Sequence, residues 1–180
     1  MKSFWRAVSA AALLSAAWAA GGCNPGPYNV EVTLDETDPQ LKDAKGMLQS
    51  IEVNLVGVND TELPHWREKS VNGYWEPDSV QRASALKYVM KFGQALPKTQ
   101  TLKINDPIWN QWIKERQGRH LVILAYLPRV TKDLPGEADP RRIILPLDGK
   151  RWEWSAWGAR TIPIQIRSGQ VTCLRQPTKE

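Results

Sequence analysis

Ile51-Glu52-Val53-Asn54-Leu55-Val56-Gly57-Val58 is the stretch on which the fold turns. Ile51, Val53 and Leu55 alternate with polar partners, then run into the apolar Val56-Gly57-Val58, and Asn59-Asp60 ends the run. Period-two alternation is the mark of a β-strand with one face in a core.

Reading outward, the same period recurs at Tyr28, Val30, Val32 and Leu34, and at Ile162, Ile164 and Ile166. Pro163 inside the latter predicts an edge strand, because proline cannot donate to a ladder. His120 to Leu127 is almost wholly apolar and reads as the central buried strand. Shorter strands are expected at 99–104, 142–147 and about 170–174, and Asp148-Gly149 reads as a turn. Asp35 to Gly46 reads as a loop or short helix. The 78–92 stretch is ambiguous; a short helix or loop followed by a strand at about 85–92 fits its alternation best.

Two helices are expected. One lies within 61–70, with Pro64 near its first turn and Trp66 as its anchor. The other opens at Asp106-Pro107, carries Ile108, Trp109, Trp112 and Ile113 as an apolar stripe, and stops at Gly118. Val71 to Pro77 reads as an aromatic loop broken by Gly and Pro. Seven or eight short strands separated by turn signals predict a mainly β protein. The expected class is an antiparallel β-sandwich, transthyretin-like or immunoglobulin-like, with two short helical insertions.

The N-terminus has the parts of an export signal. Lys2 and Arg6 precede the uncharged Ala7–Ala20, a run too short for a permanent membrane span. Two cleavage readings stand side by side. Ala17-Trp18-Ala19 suits ordinary secretion; Ala20-Gly21-Gly22-Cys23 is similar to a bacterial lipobox, with Ala20 where Leu is usual. The chain has only two Cys, and one falls where the apolar run ends, which favours the lipobox. The expected division is a lipoprotein signal peptide at 1–22, a lipid-anchored Pro/Gly tether at 23–27 with a fatty acyl (palmitate-type) group on Cys23, and a single domain at 28–180. Stable anchoring needs more than one acyl chain. Asn24 after the Cys is similar to lipoproteins sorted to the outer membrane, facing the periplasm.

The formal net charge is +5, and without Lys2 and Arg6 it falls by two. The small remainder does not argue for nucleic acid. Catalytic and metal motifs are missing: His65 and His120 have no ligand spacing, and no P-loop, G-x-S-x-G or G-x-G-x-x-G occurs. No cofactor, metal or catalytic residue is expected. Asp133, Glu137 and Asp139 form a carboxylate-rich loop. Cys173 reads as a small buried hydrophobe. Arg141 and Arg142 stand before an apolar strand as candidate partners for acidic groups. Trp75, Trp152, Trp154 and Trp157 are candidate rings for a protein or glycan surface; Trp152, Trp154 and Trp157 could share a strand face, which is a binding patch if exposed and core if it packs on the Trp109/Trp112 helix.

This arrangement resembles the outer-membrane lipoprotein family of type VI secretion systems. The residues that carry the resemblance are Cys23, the Ile51–Val58 strand followed by a Trp-containing helical segment, the Leu121–Leu127 strand, Arg141-Arg142-Ile143-Ile144-Leu145-Pro146-Leu147 and Ile162–Ile166. It implies a transthyretin-like sandwich with inserted helices and loops, a membrane-tethered scaffold rather than an enzyme, and a protein partner in the envelope. It also implies that the loop between the first strands, about Asp35 to Gly46 here, meets an inner-membrane partner; the Asp60–Asp78 and Pro128–Arg142 segments are equally open candidates for that contact. Cys23 is the one residue that the resemblance carries over.

Overall fold

The computed structural model describes residues 25–152 and 160–178. Eight strands form two four-stranded sheets. Sheet one holds β4 (Thr99–Leu102), β1 (Asn29–Leu34), β7 (Thr161–Ile166) and β8 (Val171–Cys173), in that order. Sheet two holds β3 (Lys87–Phe92), β2 (Ile51–Val58), β5 (His120–Ala125) and β6 (Arg142–Pro146). The expected sandwich is there, with one correction: β1 and β7 run parallel, while every other pairing is antiparallel.

Pro163 also differs from its edge-strand reading, because β7 lies between β1 and β8. The β8 ladder reaches only from Ile166 to Ile164. Pro163 sits just past its end and accepts the Leu174 N–H at its carbonyl, so the missing donor breaks no rung of that ladder.

Alternation explains the core. Val30, Val32 and Leu34 of β1 and Ile162, Ile164 and Ile166 of β7 face Ile51, Val53, Leu55, Leu121 and Ile123 of sheet two. The opposite face of sheet two is apolar only in part: Val56, Val58, Val122 and Leu124 follow Glu52 and Asn54. A helical layer covers that apolar part. It consists of α1 (Leu63–Glu68), α2 (Val71–Trp75) and α3 (Val80–Ser84), and it buries Trp66, Val71 and Tyr74 against β2 and β5. Such burial stabilises by about 25 cal/mol per Å² of apolar surface removed from water.

Four short helices therefore replace the two expected. The 71–77 segment is helical because Ser70 accepts the Gly73 N–H as an N-cap (2.8 Å) and Val71 and Tyr74, three apart, face the sheet. The fourth, α4 (Ile108–Asn110), continues as a π-turn over Gln111–Glu115. Asp106 accepts the Ile108 N–H at its start (3.0 Å).

Strand direction sorts the connections to two ends. The entry end holds Pro25, the 59–62 turn, α4 and residues 147–151. The far end holds the 35–50, 93–98, 126–141 and 167–170 connections. At the entry end α4 plugs the gap between the sheets. Trp109 and Trp112 point inward, edge to face at 5.2 Å. The Trp112 ring occupies the space a side chain would need at Gly57: a Cβ there would sit 2.4 Å from Trp112 Cγ. Gly57 is thus required by a close approach, on the inward side of the decisive strand. No helix among the described residues is long and apolar enough to cross a membrane.

Candidate interaction surfaces

At the entry end the chain is bound to the body from Pro25 on. Pro25 bridges to Asp148 and the Gly26 N–H donates to Leu147 O (3.1 Å). The Tyr28 hydroxyl donates to the same carbonyl (3.0 Å), and burial pushes its phenol up to about 12. The 25–27 part of the expected tether is therefore bound to the body. Cys23, Asn24 and the 1–22 leader lie outside the described residues, as do Trp154 and Trp157.

Trp152 is core, not surface. It is 4% exposed, 6.3 Å from Tyr28 between ring centroids, and its indole N–H donates to Pro146 O (2.9 Å). Trp152 shares this buried cluster with Trp109 and Trp112.

At the far end, Arg141 and Arg142 are 3% and 4% exposed, so neither presents its charge to solvent. Arg141 grips the fully buried Asp139 with Nε and Nη2 (2.9 and 2.8 Å), and also reaches Asp133, Asn72 and the Val130 carbonyl. Asp133 accepts from the Asn72 N–H (2.9 Å) and from the Ser70 hydroxyl. Arg142 donates to Trp66 O and Lys69 O (2.8 and 2.7 Å), the last carbonyls around α1, and to Gly136 O. The two arginines thus clasp the 126–141 loop to the helical layer. Burial pushes the Asp133 and Asp139 carboxyls up, but the hydrogen bonds each accepts and the Arg141 charge outweigh it and hold both below the usual range. Carboxylates kept ionised in this way are poor general acids.

The 35–50 connection is also laced by carboxylates. Asp35 accepts from Thr37 and Arg167, Asp38 from the Ser168 N–H and hydroxyl (both 2.8 Å), and Asp43 from the Lys45 and Met47 N–H groups. Hydrogen bonds from Thr37 lower the Asp35 carboxyl, and the Ser168 backbone N–H leads in lowering that of Asp38. A cavity of about 210 Å³ with Leu34, Leu41 and Leu48 in its wall opens here.

The presented aromatic group at this end is Trp75 with Tyr126, 5.6 Å apart at 62°. Tyr126 is 45% exposed and Trp75 half-buried. The Arg82 guanidinium lies 4.8 Å from the Trp75 ring and pairs with Glu52 at 3.0 Å. Open clefts flank the pair: one runs past Pro77, Pro128 and Thr131, the other past Ser50 and Glu52. Tyr126 was missed in sequence because it follows the apolar β5 run without a break. A ring at the exit of a buried strand is the signal that could have found it.

A solved type VI secretion structure shares this fold. A chain of the structure described as the T6SS protein TssM C-terminal domain (869-1107) from EAEC aligns over 82% of this chain and 99% of its own, with TM-score 0.51 and 11% identity. The T6SS lipoprotein TssJ1 of Pseudomonas aeruginosa aligns over 86% and 99%, at TM-score 0.47 and 9% identity. Serratia marcescens Lip, a membrane-bound component of the Type VI Secretion System, aligns over 84% and 98%, at 0.43 and 13%. The architectural resemblance expected from the sequence is borne out as a likeness of fold. No protein-family model and no curated protein matches the chain by sequence.

Proposed function

We propose that this protein is an exported, lipid-anchored, non-enzymatic scaffold, the membrane-tethering lipoprotein of a type VI secretion machine. The carrying observation is the polarity of the sandwich. The body takes hold of the chain at Pro25, two residues after Cys23, while the longest loops and the aromatic pair lie at the other end. Acyl groups on Cys23 would hold the entry end at the membrane and turn the far end toward a partner. The fold shared with a type VI secretion component supports the assignment. So does the use of Asp133 and Asp139 as partners of Arg141 rather than as free carboxylates. The inner leaflet of the outer membrane is the proposed site, with a periplasmic protein partner and no nucleic acid.

Mass spectrometry of protein recovered from cells tests the anchor: the expected mature N-terminus is an acylated Cys23, and an unmodified thiol there overturns it. Co-purification tests the scaffold. Deleting part of the 35–50 loop is expected to reduce recovery of a membrane partner; unchanged recovery from every far-end loop deletion counts against the reading.

The Trp75–Tyr126 pair favours a second reading, a glycan stacked on exposed rings. Tryptophan fluorescence on adding peptidoglycan fragments decides it. A flat titration removes it.

A further inference from the structure

We infer that the entry-end face, built around Lys103, Lys114 and Arg160, is a docking surface for the headgroups of anionic phospholipids. The inference rests on the proposed anchor and extends it from a lipid chain to a protein surface.

The first argument is reach. Only Asn24 separates Cys23 from Pro25, and two steps of an extended chain span at most about 7 Å, so an acylated Cys23 would lie within that distance of the body. That distance is shorter than the Debye length of about 8 Å at physiological salt, so the part of the body next to Pro25 would lie within reach of headgroup charge. A body held this close cannot avoid the membrane surface.

The second argument is what the face carries. The inner side of α4 and its π-turn is filled by Trp109 and Trp112, which turns Asn110, Gln111 and Lys114 outward. Beside them, the exposed Ile104 is fixed by its N–H to the Asn29 side chain (2.9 Å), next to the exposed Lys103. Arg160 is exposed where the chain enters β7, and its carbonyl accepts the Asn29 N–H. Lys103, Lys114 and Arg160 make no ion pair among the described residues, and the exposed Lys150 and Arg119 add to the same end.

Acids share this end. Asp60 faces Arg119 (3.6 Å) and His120 (2.8 Å) and Glu62 pairs with Arg116, while Asp106 and Asp148 accept backbone N–H groups and keep their charge. Glu115 is exposed beside Lys114. Lys103, Lys114 and Arg160, at the end that carries the exposed Ile104, match an anionic interface, where each basic side chain strengthens attraction by about fivefold.

The test places the lipidated protein in nanodiscs of phosphatidylcholine, with or without phosphatidylglycerol, and follows hydrogen exchange. Severalfold slower exchange at 103–105 and 111–119 in the anionic discs is expected, reversed by high salt and by the Lys103→Glu/Lys114→Glu double variant. Equal exchange in the two lipids, whether slowed or not, overturns the inference. The N-terminal mass of the same sample keeps the two readings apart. If Cys23 carries no acyl group, the anchor has failed. The unacylated protein is then sedimented with phosphatidylglycerol vesicles: pelleting still supports the face, and no pelleting overturns it.

Discussion

The two ends of the sandwich are closed by opposite chemistry. The entry end is sealed by rings: Tyr28, Trp109, Trp112 and Trp152 fill the gap between the sheets, with their polar tips bonded to backbone carbonyls. The far end is sealed by charges, with Arg141 on Asp139 and Asp133, Arg142 on the α1 carbonyls, and Asp35 and Asp38 on Arg167 and Ser168. A ring plug depends on volume and is indifferent to pH. A charge clasp depends on every partner being present and ionised. The end with open clefts and long loops is thus the one closed by the pH-sensitive clasp.

Removing one side of the clasp gives the largest expected effect. Arg141→Leu strands Asp139 in the interior and should destabilise by about 3–5 kcal/mol. Urea unfolding at pH 7 checks it; a loss under 1 kcal/mol would mean the clasp is ornamental. The plug should be nearly as sensitive to added volume. Gly57→Val drives a side chain into Trp112 and is expected to cost about 3 kcal/mol, read by the same unfolding and by loss of near-ultraviolet dichroism from the tryptophans.

Acid separates the two ends. The Asp133 and Asp139 carboxyls are lowered in the folded state, so the unfolded chain takes up protons first as the pH falls. Their contribution is whole above the unfolded value of about 3.9 and fades as pH drops through the folded values. The wild type should therefore lose stability below about pH 4, and the deficit of Arg141→Leu against it should shrink there. Gly57→Val should keep a constant deficit across the same range. Parallel curves for all three proteins would refute the contrast. The smallest effect is expected at the aromatic pair. Arg82→Gln removes a partly exposed cation over Trp75 and its pair with Glu52, and should cost about 0.5–1 kcal/mol in the same assay.

The ring plug was legible in part. The α4 stripe of Trp109 and Trp112 shows its helical spacing in sequence, and Gly118 marks its stop. Trp152 was ambiguous because its period-two spacing with Trp154 puts both rings on one face without saying whether that face meets the core or solvent. The clasp was legible in part. Pairing with acids of their own loop was one reading of Arg141 and Arg142, beside a partner's carboxylates; their burial was not foreseen, because arginine is seldom buried without partners and the Asn72 side chain that meets Arg141 lies 69 residues away in sequence. The 71–75 helix was hidden for a similar reason: its Gly and aromatic residues are poor helix formers, and its stability comes from the β2–β5 face it covers.

The sequence by itself determined the strands, since period-two alternation is a property of the backbone that needs no distant partner. It determined the central place of β5. Tertiary structure alone decided that β1 pairs parallel to β7, that two arginines belong to the interior, that Trp152 is core, and that Pro25 is already bound to the body. Each of these depends on which segments meet across the sandwich. Burial of a charge or a ring is fixed by the free energy of that meeting, not by its neighbours along the chain.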